Sequence, residues 1–122
     1  MSLYETRGGS NSNGVHSGTW WLDVETSNTW SGDPSQHRSS LQGERDALLG
    51  QGVGTVGVYS TTYQWDTVSG SWSNGWPVWG GTTWTSAQQA QTYCKGHQFT
   101  GGPSFLMQYR ARTSKLDQDV AC

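Results

Sequence analysis

The chain has 122 residues, which bounds it to one domain with a modest core. It carries 7 Lys and Arg against 9 Asp and Glu, a net charge of -2, and no basic run, so the clustered cations that phosphate binding needs are missing and nucleic acid is excluded as a partner. No apolar run approaches the roughly 20 residues of a membrane helix, which excludes a membrane span, and no motif calls for a metal or a cofactor. Isoleucine is absent while there are 8 Trp, 5 Tyr and 17 Gly, so burial has to lean on aromatics. Such a Trp-rich, charge-poor composition suits a neutral, polar partner such as a carbohydrate, whose C–H faces stack on rings while its hydroxyls pair with amides and acids. A core built from aromatics accounts for the same composition.

Residues 1–17 read as a flexible N-terminal segment. Met1-Ser2-Leu3 runs straight into polar sequence with no signal peptide, as a trimmed N-terminus would. The run Gly8-Gly9-Ser10-Asn11-Ser12-Asn13-Gly14 has no apolar periodicity, and His16 within this segment reads as an exposed histidine. Residues 19–25 then form a buried strand. Alternation places Trp21, Asp23 and Glu25 on one face and Trp20, Leu22 and Val24 on the other. Two carboxylates so placed sit about 6 to 7 Å apart at Cα, close enough to couple their ionisation. An edge strand with solvated acids is the plainer reading of any Asp-x-Glu, and the two preceding tryptophans weigh against it. Trp30, in the loop that leaves the strand, lies beside the acids.

A helix follows over residues 34–49, with Asp33 as N-cap and Pro34 in its first position. Leu41, Leu48 and Leu49 form its apolar stripe, Gly50 and Gly52 its stop, and His37, Arg38, Glu44, Arg45 and Asp46 its wet side. The next strand is 55–60, where Gly57 implies close approach by a neighbouring backbone. Residues 61–65, with Tyr63 and Trp65, read as an aromatic loop at that strand's C-terminal end, and 66–75 as a polar connector. Pro77 to Gly80 is a short third strand. Thr85-Ser86-Ala87-Gln88 is a capping box opening a second helix whose buried stripe includes Ala87, Ala90 and Cys94. A fourth strand, 104–109, precedes the tail.

Strands alternating with helices predict an α/β fold with a parallel sheet, here four strands and two main helices. That is about half of a (β/α) barrel, for which about 250 residues are typical. Barrel chemistry sits at the C-terminal ends of the strands, where Glu25, Tyr63, Trp79 and Tyr109 all fall. Two cysteines, Cys94 and the terminal Cys122, have neither a metal nor a redox spacing. A disulfide that ties down the tail, and with it an oxidising compartment, is the preferred reading; two unrelated thiols are the alternative.

The runs Trp20-Trp21-Leu22-Asp23-Val24-Glu25-Thr26, Val56-Gly57-Val58-Tyr59-Ser60-Thr61-Thr62-Tyr63-Gln64-Trp65, Pro77-Val78-Trp79, Phe99-Thr100-Gly101-Gly102-Pro103 and Leu106-Met107-Gln108-Tyr109, followed by Asp117-Gln118-Asp119-Val120-Ala121-Cys122, occur in an order that carries a resemblance. Residues 18–122 resemble the C-terminal half of the barrel domain in exported actinobacterial proteins related to glycoside hydrolase family 25 lysozymes. The resemblance implies a secreted or cell-wall-associated protein acting on peptidoglycan or a related polysaccharide. It implies Glu25 as general acid and Asp23 as its electrostatic support; the family's further Asp, from its first strand, would lie before residue 1. Glycosidic cleavage needs an acid on the leaving oxygen and negative charge near the oxocarbenium-like transition state. Trp21, Trp30, Tyr59, Tyr63, Trp65, Trp79, Gln108 and Tyr109 are the candidates for lining the sugar cleft, each strand aromatic having a core role as its competitor. Asp117 and Asp119 fall at the barrel mouth or on the plain surface. Three functions follow from these residues: a cell-wall glycan hydrolase, a carbohydrate-binding module without catalysis, and an incomplete structural half-barrel that forms homo-oligomers through its exposed sheet edges.

Overall fold

The structure, a computed structural model, describes residues 2–6, 18–81, 84–96 and 98–122. Its elements in chain order are β1 (Ser2–Thr6), β2 (Thr19–Asp23), α1 (Pro34–Gly50), β3 (Thr55–Ser60), α2 (Thr62–Ser69), β4 (Val78–Gly80), α3 (Ala87–Thr92), β5 (Ser104–Tyr109) and β6 (Gln118–Ala121). They form one six-stranded sheet in the order β1-β2-β3-β4-β5-β6. The inner four strands are parallel, as expected, but β1 and β6 pair antiparallel at the two sides. The wholly parallel, four-stranded expectation is therefore corrected to a mixed six-stranded sheet with three helices. Among the described residues the sheet stays open, so no barrel is closed.

The addition of β6 has a local cause. Residues 110–117 between β5 and β6 are too few for the crossover of a dozen or more that a parallel return needs, so the chain doubles back, with the Arg110 guanidinium 2.7 Å from Asp117 across the bend. At the other end Ser2–Thr6, read as part of a flexible segment, pairs with Thr19–Asp23. The remainder of that segment, with the Gly8 to Gly14 run and His16, lies outside the described residues.

The first long helix forms where the capping residues require it. Asp33 accepts from the Gln36 N–H, the Gln36 side chain accepts from the Asp33 N–H, and Pro34 follows the cap. The helix α2 corrects the reading of 61–65 as a loop. Thr61 caps its start by accepting from the Gln64 N–H, and Gly70, at φ +71°, ends it in the left-handed conformation. For α3 the N-cap is Ser86, one residue later than expected, because the sequence Thr85-Ser86-Ala87-Gln88-Gln89 supports a capping box in either register.

His37 is not on a wet face, and Arg38 is only partly exposed. His37 is buried with Nδ1 2.7 Å from the Val68 carbonyl oxygen, and Arg38 donates to the Ser69 carbonyl at 2.7 Å. Two side chains of α1 thus satisfy the last-turn carbonyls of α2, which no intrahelical N–H can reach. Arg45 lies over the Trp76 ring at 5.2 Å, shielding one side of the core.

That core lies between the sheet and the helices. Leu22 and Val24 of β2 and Val56 and Val58 of β3 meet Leu41 and Leu48 of α1, Trp65 and Val68 of α2, and Trp76. Trp65 stacks parallel to Trp72 with centroids 6.2 Å apart, and Trp76 meets Trp72 edge-on. Aromatics fill the volume that aliphatics supply in most domains. The opposite face of the sheet carries Trp21, Asp23, Tyr59 and Trp79, as strand alternation requires. Gly57 is needed there: a Cβ would fall 2.5 Å from the Trp21 ring and 2.7 Å from the Pro77 carbonyl oxygen. The close approach inferred from the sequence is thus made by an indole as well as by backbone.

Candidate active site

Cross-strand register brings the acids to an aromatic group. Asp23 pairs with Tyr59, and Tyr59 with Trp79, all at or near the C-terminal ends of parallel strands. Side chains so paired lie on the same face. Asp23 is the last residue of β2 rather than an interior one, and Glu25 lies two residues beyond, in the loop; the expected strand to residue 25 is shorter at that end. Their exposure differs sharply. Asp23 is 2% exposed, whereas Glu25 is half-buried.

The loop after β2 is held by its own side chains. Asn28 Nδ2 donates to the Asp23 carbonyl at 2.8 Å, and Trp30 Nε1 to the Glu25 carbonyl at 2.9 Å. Val24 extends the ladder through its N–H to the Tyr59 carbonyl, and the buried Ser60 hydroxyl donates to the Val24 carbonyl at 2.6 Å. The Thr26 N–H donates to Gln64 Oε1 at 2.8 Å, tying the loop to α2. The two acids thus stand on a backbone fixed from both sides.

Tyr59 reports the field at this spot. Its phenol is pushed up to about 12, first by burial, then by the nearby negative charges of Glu25 and Asp23 and, more weakly, Asp117; the hydrogen bond to Gln108 opposes the shift. The phenol therefore remains a neutral donor at any ordinary pH, giving its proton to Gln108 Oε1 at 2.8 Å. Trp79 packs edge-on against Tyr59 at 4.7 Å and against Trp21 at 5.7 Å, and its Nε1 donates to Asp119 Oδ1 at 2.7 Å. Burial raises the Asp119 carboxyl above its ordinary value, the Trp79 hydrogen bond opposes this, and the Asp117 charge reinforces it. Asp119 reaches the group because it pairs with Gln108 across β5 and β6.

Two hollows touch this group. One, of about 470 Å³, opens at the C-terminal ends of the strands between Tyr59, Tyr63, Gln64, Trp84, Met107 and Gln108. The other, of about 660 Å³, runs under Trp21, Phe105, Leu106 and Asp119. Neither carboxylate of the Asp23/Glu25 pair lines the first hollow; Tyr59 and Gln108 are its wall toward them.

Of the expected site residues, the fold brings together Asp23, Glu25, Tyr59, Trp79 and Gln108. Tyr63 stands exposed at the rim of the first hollow. Trp21 is 1% exposed beneath Trp79 and Phe105, so it props the aromatic wall from below. Trp65 is corrected: it is wholly buried on the helix side, donating to the Trp72 carbonyl, and cannot line a cleft. Trp30 packs against His37 at 5.3 Å on the same helix side and acts on Glu25 through the backbone. Tyr109 falls by alternation on the side of Met107, away from Gln108. The expected Cys94–Cys122 disulfide is present and joins the end of α3 to the end of β6. Asn28 and Ser60 escape sequence reasoning, since a loop Asn and a strand Ser carry no signal of which distant carbonyl they will meet. Among the described residues no cluster of His, Cys, Asp and Glu is arranged to hold a metal ion.

Two known proteins are similar in sequence to about half of this chain. Probable GH family 25 lysozyme 5 of Dictyostelium discoideum is 36% identical over 62 residues, 48% of this chain and 29% of that protein. Probable GH family 25 lysozyme 4 of the same organism is 38% identical over 65 residues, 51% of this chain and 29% of that protein. The chain thus spans less than a third of the length of the curated relatives it matches. No solved structure matches it. A family model described as Lysozyme-like protein 1 matches residues 2–101, most of the chain including both acids, and the chain therefore belongs to that lysozyme-like family.

Proposed function

We propose that this chain is the acid-bearing part, the C-terminal half of a (β/α) barrel, of an exported glycoside hydrolase that cleaves bacterial cell-wall peptidoglycan or a related glycan. The observation that carries this reading is the convergence of Asp23, Glu25, Tyr59, Trp79, Gln108 and Asp119 at the C-terminal ends of parallel strands, where α/β folds do their chemistry. The sequential order of the four parallel strands is what consecutive β/α units of a barrel produce, and the disulfide suits an oxidising, extracellular or cell-wall location.

In this reading the half-exposed Glu25 is the general acid that protonates the leaving oxygen. Buried Asp23 contributes negative charge beside the oxocarbenium-like transition state without touching solvent. Tyr59 and Gln108 form a neutral, hydrogen-bonded wall for sugar hydroxyls, and the Trp79 ring offers an apolar face. The test is release of glycan fragments from purified peptidoglycan by the full-length protein. Glu25→Gln is expected to lower turnover by about 10²- to 10⁴-fold, the usual worth of a general acid, with binding retained. Equal turnover by wild type and Glu25→Gln sinks the assignment.

A second reading has its own support. Because Asp23 is buried, one of the paired carboxylates alone can meet a ligand, an arrangement compatible with a carbohydrate-binding module that holds glycan without cleaving it. Saturable glycan binding by the full-length protein with no fragments released selects this reading.

A further inference from the structure

A shallow groove of about 510 Å³ runs along the outer face of α1, on the far side of the helix layer from Tyr59 and the acids. Its volume lies within the roughly 300–1,000 Å³ of small-ligand sites. It is lined by Ser35, Arg38, Ser39, Gln42, Asp46 and Trp72, with Gly43 also in its wall.

Gly43 is the telling residue. It sits inside a 17-residue helix, where glycine is among the least favourable choices. A Cβ built on it would meet nothing within 4 Å, so no neighbour in the fold requires its absence. What a side chain there would fill is the groove itself. The surrounding polar groups are held in place: Arg38 by the Ser69 carbonyl at 2.7 Å, Gln42 by donating to Asp46 at 2.9 Å, and the Ser39 hydroxyl by the Ser35 carbonyl. Trp72 is fixed against Trp65 and Trp76, and among the described residues its indole N–H has no protein partner.

We infer that this groove is a second glycan-binding site, separate from the candidate active site, in which Trp72 and the Gly43 backbone receive a sugar ring and Gln42, Asp46 and Arg38 bind its hydroxyls. The chemistry selects the ligand class. One aromatic surface offers a partner for C–H groups, one cation and one carboxylate offset each other, and the remaining groups are an amide and hydroxyls, which together match a neutral, polyhydroxylated chain. Choice of a cell-wall type glycan rests on the function proposed above. Such a site would keep a polymer attached while its other end is released from the acids, raising the effective concentration of substrate.

The experiment is an NMR titration of the folded chain with chitotetraose, following the indole N–H signals of Trp72 and Trp79 and the side-chain amide of Gln42. The expected result is saturable movement of Trp72 and Gln42 at about millimolar concentration. Gly43→Gln fills the groove with a better helix former, so its Tm is expected to rise by about 4 °C while the Trp72 response weakens at least tenfold. Movement at Trp79 with none at Trp72 overturns the groove and leaves the active-site reading intact. Movement at Trp72 with none at Trp79 supports the groove and counts against the acid-side cleft. An unchanged Trp72 response in Gly43→Gln also overturns the proposal, since the groove would then not be where the sugar sits.

Discussion

Tyr59 stands between the acids and the aromatic wall, and its ionisation reports its burial first and the charges of Glu25 and Asp23 second. In the folded chain its phenol keeps its proton up to about 12, against an ordinary value of 10.0 for an unfolded tyrosine. The folded state therefore favours the protonated phenol, so the stabilisation is fully present below pH 10 and is lost as pH rises toward about 12. Denaturant unfolding across that window is expected to show a fall in stability that Tyr59→Phe lacks, and phenolate absorbance should show one tyrosine titrating late. If Tyr59→Phe follows the wild-type pH profile, neither burial nor the charges of Glu25 and Asp23 raise this phenol. At the same scale the two acids differ by position along one face: Asp23, the last residue of β2, is buried beside Tyr59, while the end of the ladder leaves Glu25 half-buried in the loop.

Among the elements, β6 is the most dependent on help from elsewhere. It has four residues, mostly exposed, and lies at the side of the sheet. It nevertheless delivers Asp119 to Trp79 and pairs with Gln108. The Cys94–Cys122 crosslink fastens its end to α3, and the Cys122 N–H donates to the Phe105 carbonyl. Closing a loop of this length stabilises by about 2 to 4 kcal/mol. Cys94→Ser with Cys122→Ser is expected to lose an amount of that order in chemical unfolding, with amide exchange accelerating first at Val120 and Ala121. Unchanged exchange there would mean that ladder pairing alone holds the strand. In α2, by contrast, the stabilising contacts come from another helix. His37 and Arg38 cap its final carbonyls, and Trp65 and Val68 supply its buried side.

At the scale of the whole molecule, the sheet has helices on one face, while its other face carries Trp21, Tyr59, Trp79 and a partly exposed Phe105. Outer strands β1 and β6 have no second neighbour among the described residues. Unpaired edges and an apolar face are templates for association. The isolated chain is therefore expected to self-associate in sedimentation, as the sequence reading anticipates from its half-barrel. A monomer with cooperative unfolding would show that the open face is adequately covered by the chain's own residues.

Much of this architecture is legible in the residue order because it depends on local rules. Asp33-Pro34 begins the helix through local capping, and Gly52, at φ +94°, ends it just past the Gln51 cap, so that Gly50 belongs to the helix. Alternation sorts Trp21 and Asp23 from Leu22 and Val24 without reference to the rest of the chain. Parallel pairing of the inner strands also follows from sequence pattern, and the Cys94–Cys122 bond is the preferred of the two readings that the sequence leaves open. Other features depend on partners far away in the chain. Helix α2 is written in Thr, Tyr, Trp and Val, residues of modest helix propensity, and its stability comes from packing against α1 and the sheet. Trp65 and Trp79 are alike as sequence, yet one is wholly buried on the helix side and the other faces the acids, a difference set by strand register and helix phase. Asp-Gln-Asp-Val has no mark of a strand; β6 exists because a short connection returns the chain beside β5, and Asp119 becomes part of the site because that return pairs it with Gln108.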